Sequence, residues 1–281
     1  MADTSNRFAS LNARFPRKRA FITGAGAGLG HALARALASD GWMLGLFDRN
    51  VERLAAVEAD FAGSGVPALA YPGDVTHSDE LTVAVNSFAA KYDGLDVMIN
   101  NAGVAVAGGL MEVSVEDWRW IIDTNVMGVV HGCRAALPHL QRNGSGLIVN
   151  ISSAAAFVSA PTMAPYNATK AAVLSLSETL AAELRGTGTQ VCCVMPMFFE
   201  SSLLESYRGP PQFRAAAARL MKNSKHSAQD IAHAILDQAG RGRSYVVVPD
   251  YARTLWRLKR WLPGRFTNRI AAMYERRGPR S

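Results

Sequence analysis

The chain has 281 residues, of which 49% are apolar, enough for one large α/β domain with a substantial core. No run approaches the roughly 20 apolar residues needed to cross a bilayer, and the polar N-terminus has no apolar signal core, which excludes a membrane-spanning protein and points to the cytoplasm. The three cysteines, Cys133, Cys192 and Cys193, lack metal-ligand spacing, so no metal site is expected and all three read as small core residues in a reducing compartment.

The first element in chain order is a short buried strand, Ala20-Phe21-Ile22-Thr23. It runs into the glycine-rich turn Gly24 to Gly30 and then into a helical stretch, His31 to Ser39. A strand, a glycine turn and a helix start together make a phosphate-binding turn. The glycines let backbone approach a pyrophosphate, and the helix N–H groups and dipole stabilise the anion. A second strand over 42–47 ends at Asp48, eighteen residues past Gly30. A carboxylate there can accept hydrogen bonds from both ribose hydroxyls of NAD and repels the 2′-phosphate of NADP. The competing reading of Asp48 is a helix N-cap for the segment starting near Val51. Arg49 follows directly and offsets part of the repulsion, so NADP stays open beside NAD.

Further strand-like runs lie at 67–71, 95–100, 146–151, 190–195 and 244–248, alternating with helical stretches. The alternation predicts a doubly wound, Rossmann-type α/β fold: a seven-stranded parallel sheet with helices on both faces. Cys192 and Cys193 are adjacent in one predicted strand and should point to opposite faces.

After the fifth run come Ser153, then Tyr166 and Lys170, the last two four residues apart. On a helix that spacing puts the phenol and the ammonium on one face. A nearby cation favours phenolate, so Tyr166 is expected to lose its proton more easily than a free tyrosine with a pKa of about 10. Ser153 can hold a substrate oxygen while Tyr166 exchanges a proton with it. That equipment interconverts an alcohol and a carbonyl beside a hydride acceptor. Taken alone, Tyr-x-x-x-Lys also fits a surface helix pair; the glycine turn and Asp48 are what favour catalysis.

These motifs, in this order, resemble the short-chain dehydrogenases/reductases in their single-domain form, from about Phe21 to Pro196. Thr23-Gly24 with Gly28 and Gly30 matches the family's Thr-Gly-x-x-x-Gly-x-Gly turn, with Leu29 inside it. Asp74-Val75 matches the pair that contacts adenine, and Asn100-Asn101-Ala102-Gly103 the motif after the fourth strand. Asn125 stands where the family places a helix asparagine, which completes a catalytic tetrad with Ser153, Tyr166 and Lys170. The resemblance implies that Asn125 supports a water linking Lys170 to solvent, and that Lys170 holds the nicotinamide ribose. Two departures follow the sixth strand. Met197 stands after Pro196 where glycine is usual, and is expected to crowd or reshape the nicotinamide side. Ser201 replaces the threonine that contacts the carboxamide and keeps its hydroxyl.

The resemblance places the substrate loop at about 197–226, which offers Met197, Phe198, Phe199, Leu203, Leu204, Tyr207 and Phe213. Val104, Val106 and Leu110, and Phe157, Val158 and Met163, could add walls. Such a lining suggests a lipophilic alcohol or ketone, although packing of amphipathic helices explains part of it. The expected activity is that of an alcohol dehydrogenase or carbonyl reductase using NAD(P). The alternatives are a non-catalytic nucleotide-binding sensor or scaffold, and a membrane-peripheral protein.

The domain is expected to span 1–249 and to be followed by a basic amphipathic extension, 250–281. The extension holds nine Arg or Lys against two acids and so accounts for the whole net charge of +7. Leu255, Leu258 and Leu262 fall at helical spacing with Trp256 and Trp261 nearby. Such a segment can dock on its own body or on a neighbouring subunit, the favoured reading, since relatives commonly form homodimers or homotetramers. It can also lie on an anionic membrane surface. Nucleic acid is not an expected partner, because no recognition motif accompanies the charge.

Overall fold

Each apolar run forms a strand within two residues of its expected bounds. The computed structural model describes residues 8–63 and 65–277. Its strands are β1 (Arg19–Thr23), β2 (Met43–Asp48), β3 (Ala68–Pro72), β4 (Val97–Asn100), β5 (Gly146–Ile151), β6 (Thr189–Pro196) and β7 (Tyr245–Val248). They form one parallel sheet in the order β3-β2-β1-β4-β5-β6-β7. A parallel sheet is covered on both faces, which is why its strands read as continuous apolar runs rather than alternating ones. β1 and β5 are buried at every position.

One face packs against α1 (Ala9–Arg14), α2 (Gly28–Ser39), α3 (Val51–Ala62) and α10 (Ala228–Gly240), with Leu33, Leu37, Leu54 and Ile235 in the core. The other packs against α4 (Ser78–Lys91), α6 (Gly128–Arg142) and α8 (Ala164–Glu183), around Phe21, Phe88, Leu140 and Val173. The cysteines are all buried. Cys192 and Cys193 belong to cores on opposite sides of the sheet. Burial raises the Cys133 and Cys193 thiols to about 12, so they are small hydrophobes rather than nucleophiles.

Helix α1 has no counterpart in the expectations from sequence, because its six residues are too short a window for a helical period. It seats Phe8, Leu11 and Phe15 at the foot of the sheet, where all three are buried. Asn12 on α1 accepts a hydrogen bond from the Trp42 indole at 2.9 Å and donates to Asp40 at 2.8 Å. Arg14 donates to the carbonyls of Ala239 and Gly240 at the C-terminal end of α10. At the same end, Arg19 and Asp96 form a buried ion pair at 2.8 Å with side-chain exposures of 2% and 7%.

The opposite, carboxyl end of the sheet is where the order reverses. β1 is followed outward by β2 and β3, and the chain then returns to place β4 on the other side of β1. A crevice at such a switch point is the ligand site of doubly wound folds. Around it lie α5 (Val115–Ile122), α7 (Ala155–Val158), a 3-10 turn (Ser202–Ser206) and α9 (Pro211–Lys222).

The extension forms a helical hairpin, α11 (Asp250–Trp261) and α12 (Pro263–Arg277). Residues 278–281, including Arg280, and the polar residues 1–7 lie outside the described residues. Ala252, Leu255 and Trp256 dock on Phe157, Met195, Met197 and Val247. The expected docking on the body thus holds for Leu255 and Trp256, two of the five apolar residues named for it. Leu258, Trp261 and Leu262 face outward. Among the described residues no helix is long and apolar enough to cross a membrane.

Candidate active site

The glycine turn is shaped by contacts that only glycine tolerates. Gly24 and Gly28 have φ of +65° and +53°, and a Cβ on Gly30 would meet the Gly24 carbonyl oxygen at 2.0 Å. Helix α2 begins directly after the turn. Its N-cap is Ala27, which supplies no side-chain cap, and its first turn holds no acid. Its first N–H groups and the positive end of its dipole therefore remain for an anion. The Thr23 hydroxyl accepts from the backbone N–H groups of Asn101 and Ala102 at 3.0 and 3.1 Å. The Asn101 amide donates to the carbonyls of Thr23 and Gly24. Thr23 and Asn101 thus lock the turn to the Asn-Asn-Ala-Gly segment across the switch point.

A groove of about 380 Å³ runs along this edge. Gly24, Leu29, Asp48, Asp74, Val75 and Asn101 line one stretch of it. Ala102, Gly103, Tyr166, Lys170, Pro196 and Ser201 line another. Thr23, Gly28, Gly30 and Asn125 stand behind the wall and shape it. Asp48 accepts from Gly26 N–H through Oδ2 and from Asn50 N–H through Oδ1, each at 2.9 Å. It is not the N-cap of α3; Asn50 is, accepting from Arg53 N–H at 2.9 Å. The two hydrogen bonds fix the Asp48 carboxylate at the rim. Asp74 accepts from Thr76 N–H, and the Val75 carbonyl meets the His131 ring at 2.9 Å.

At the far end of the groove, Tyr166 and Lys170 are buried, with 8% and 4% exposure. Both project from α8, which begins at Ala164. Lys170 Nζ donates to the Ile151 carbonyl at 3.0 Å and lies 5.7 Å from the centroid of the Tyr166 ring. Ser152 holds the same turn of α8 by donating to the Lys170 carbonyl. The Ser153 hydroxyl accepts from Ala155 N–H at 3.1 Å and donates to the Pro196 carbonyl at 3.5 Å. Asn125 lies fully buried in a π-helical turn, Asp123–Met127. Its amide accepts from Val104 N–H at 2.8 Å and donates to Val104 carbonyl oxygen at 3.0 Å. Asn125 thus pins the segment that carries Gly103, whose open Cα edge lies near both Asn125 and Lys170.

Two expectations are corrected. Burial pushes the Tyr166 phenol up to about 12, with only the neighbouring Ser153 hydroxyl acting in the opposite direction. It pushes the Lys170 ammonium down to about 8. The phenol is therefore not the depressed group: both side chains are desolvated, and desolvation disfavours phenolate as well as ammonium. The group that sheds its proton more readily than its free counterpart is Lys170, not Tyr166. The second correction concerns Met197. Its side chain packs with the core under α11, and its N–H donates to the Val248 carbonyl at 2.8 Å. It does not line the groove, and its φ is not positive, so no glycine is required there.

Of the thirteen apolar residues expected as substrate walls, Phe199 lines the groove and ten others divide three ways. Val104, Val106, Met163, Leu203 and Tyr207 cluster around Tyr166. Phe157, Val158 and Met197 belong to the core beneath the C-terminal hairpin. Leu110 and Phe198 are exposed. The backbone of Arg208 joins Ala105 and Ala107 by hydrogen bonds, tying the substrate loop to the segment after Gly103. Reading the sequence missed Asn50, Arg53, Ser202 and Glu205, all of which line the groove. Arg53 and Glu205 form an ion pair at 2.5 Å between α3 and the 3-10 turn. No local motif marks it, since the partners are brought together only by the fold.

The sequence profile described as short chain dehydrogenase matches residues 18–211. A 3-oxoacyl-acyl-carrier-protein reductase of Staphylococcus aureus (strain Mu50) is 34% identical over 190 residues, covering 67% of this chain and 77% of its own. An uncharacterized oxidoreductase of S. aureus (strain USA300) is 32% identical over 219 residues, covering 78% and 89%. Among solved structures, a short chain dehydrogenase/reductase of Burkholderia phymatum in complex with NAD superposes with a TM-score of 0.83 at 30% identity, covering 87% of this chain and 93% of its own. An alcohol dehydrogenase of Thermococcus sibiricus complexed with 5-hydroxy-NADP gives 0.72 at 27%, covering 82% and 95%.

Proposed function

Because the chain belongs to the short-chain dehydrogenases/reductases, an NAD(P)-dependent oxidoreductase family, we propose that it interconverts a lipophilic secondary alcohol and its ketone, with Asn125, Ser153, Tyr166 and Lys170 as its catalytic set. One observation carries the reading: the buried Tyr166–Lys170 pair lines the same groove as a glycine turn with an uncapped helix start, and Ser153 directly follows the lining residue Ser152. The residues fit a dinucleotide. Gly24, Gly28 and Gly30 would cradle its pyrophosphate and Asp48 its adenosine ribose. Asp74 and Val75 would flank the adenine, and Ser201 would meet the carboxamide. When bound, the nicotinamide accepts or donates the hydride.

The protein moves the proton. Ser153 orients the substrate oxygen; Tyr166 takes the hydroxyl proton during oxidation as its own proton leaves by way of Lys170, and reduction runs the same transfers backwards. Lys170 supplies the compensating charge. A lysine already poised near pH 8 can pass its proton without a large cost. The apolar cluster of Val104, Val106, Met163, Leu203 and Tyr207 keeps water from this step and favours an apolar substrate. Assembly as a homodimer or homotetramer belongs to the same reading. The resemblance to a 3-oxoacyl-acyl-carrier-protein reductase adds 3-oxoacyl thioesters to the ketones worth testing.

Asp48 makes NAD(H) the preferred cofactor. Asp48→Ala narrows the preference about tenfold by relieving repulsion of a 2′-phosphate. The test has two stages: titration of NADH and NADPH by fluorescence, then a screen of alcohols, ketones and 3-oxoacyl thioesters followed at the nicotinamide band. Failure to bind either cofactor sinks the reading. Tighter binding of NADPH than NADH sinks the role of Asp48 alone and points to Arg49 and Arg53.

A further inference from the structure

The hairpin of α11 and α12 is held firmly on its inner side. Ala252 and Phe266 are buried, and Leu255 and Trp256 pack on the body. The Tyr274 hydroxyl bonds Thr162 at 3.2 Å, on the loop between Ser153 and Tyr166. Arg253 is tied to Gln238 and Asp250, and Lys259 to Thr267.

The outer side has none of these ties. Trp261 is 83% exposed, and Leu262 and Leu258 beside it are 42% and 37% exposed. Arg257, Arg265 and Arg269 are exposed and have no hydrogen bond or ion pair among the described residues. Arg260 lies over the Trp256 ring, 5.2 Å away, and its charge also reaches Tyr245 on the body. The nearest sources of negative charge within the hairpin are Asp250 and Glu275. The exposed apolar residues gather where α11 turns into α12, flanked by arginines. This is the arrangement of an interfacial segment: an apolar wedge with a cationic collar.

We propose that this outer face binds the surface of an anionic lipid bilayer, with Trp261, Leu258 and Leu262 entering the headgroup boundary and Arg257, Arg265 and Arg269 meeting lipid phosphates. A second copy of the chain is the weaker occupant, since a self-complementary contact through this face would set its arginines against one another. Nucleic acid would satisfy the arginines but leave the leucines uncovered. The inference does not rest on the catalytic reading, because the inner packing and the outer exposure hold whatever the groove binds.

The test is co-sedimentation of the full chain with phosphatidylcholine vesicles and with vesicles containing one third phosphatidylglycerol, at low and high salt. Binding is expected only to the anionic vesicles, and should fall as salt screens the arginines. Each of Arg257→Gln, Arg265→Gln and Arg269→Gln should weaken it about fivefold, the equivalent of about 1 kcal/mol per cation near the surface. Trp261→Ser should weaken it and abolish a blue shift of tryptophan emission on binding. All four positions are exposed, so circular dichroism and melting should match the parent. Absence of binding, equal binding to neutral vesicles, or binding unaltered by these substitutions overturns the proposal. So does retention of an oligonucleotide in preference to the vesicles, or a concentration-dependent oligomer that Trp261→Ser dissociates.

Discussion

The two ends of the sheet bury charge in opposite ways. At the amino end, Arg19 meets Asp96 in a pair that is satisfied throughout: Nη2 lies 2.8 Å from Oδ1, Nε donates to Oδ2 at 3.0 Å, and the remaining donors reach the Tyr92 and Asp93 carbonyls. At the carboxyl end, Lys170 is as deeply buried but among the described residues has a single carbonyl partner and no carboxylate. A buried charge with a full set of partners is structural, because removing either partner strands the other. A buried cation without a counter-ion has a shifted proton affinity, and such shifts gather where protons move. The fold thus keeps its rigid polar knot away from the site and leaves the reactive pair under-satisfied.

The largest effect tests the amino end. Asp96→Ala leaves Arg19 buried and unpaired, and should cost about 3–5 kcal/mol in denaturant unfolding. The joint replacement Arg19→Met with Asp96→Leu should recover most of that loss. A cost for Asp96→Ala near that of an exposed pair, below about 1 kcal/mol, would break the contrast.

Next comes the carboxyl end. Tyr166→Phe removes the proton-transferring hydroxyl and keeps the ring among Val104, Val106 and Met163. Turnover should fall by at least ~10², with cofactor binding retained. Near-normal turnover would remove Tyr166 from its role. Loss of cofactor binding as well would mean that the ring, not the hydroxyl, had been disturbed.

How much of this was legible beforehand depended on the range of the interactions. Strands, glycine turn and Tyr-x-x-x-Lys spacing are local patterns with fixed periods, and all seven strands fell where the apolar runs lay. Arg19–Asp96 joins positions 77 residues apart, and Arg53–Glu205 joins α3 to the 3-10 turn across the groove. No period in the chain marks either of them. The pKa of Tyr166 was misjudged for a related reason: spacing reveals that Lys170 shares its face, but the depth of burial, which outweighs that proximity, is a property of the assembled fold. Met197 likewise looked like a departure at the site, when its environment is the core beneath α11. The extension showed its amphipathicity in sequence, yet which leucines docked was decided by the surface they met.

A smaller effect sharpens the contrast through pH. Lys170 has a folded pKa of about 8, below its ordinary 10.5. Between these values the unfolded chain binds more protons, so this group makes stability rise with pH from about 8 towards 10.5. Below that window the buried charge is a burden. Lys170→Met should therefore leave stability unchanged or raise it by about 1 kcal/mol at neutral pH, with loss of activity. The gain should shrink as pH climbs through the window. Melting curves at neutral and alkaline pH read it directly, and a clear loss of stability at neutral pH would place Lys170 with Arg19 as a structural charge.

The smallest expected effect belongs to Arg53 and Glu205, which pair at the mouth of the groove with side-chain exposures of 47% and 51%. An exposed pair of this kind contributes little, up to about 1 kcal/mol, and is screened by salt. Its position gives it leverage nonetheless. Glu205 sits on the 3-10 turn whose Ser202 crowds Gly28, while Arg53 packs beside Asp48 against Gly26. Glu205→Gln releases one tie between that turn and α3, and also leaves the Arg53 guanidinium uncompensated in the groove that Asp48 also lines. NADH should bind no more than about fivefold more weakly. NADPH should lose less or gain, because the freed cation offsets the repulsion between Asp48 and a 2′-phosphate. The ratio of the two dissociation constants, measured at low and high salt, is the decisive quantity. If both cofactors weaken equally, Glu205 acts only as a clasp on the turn. A shift towards NADPH at low salt that vanishes at high salt assigns it to cofactor choice, beside Asp48.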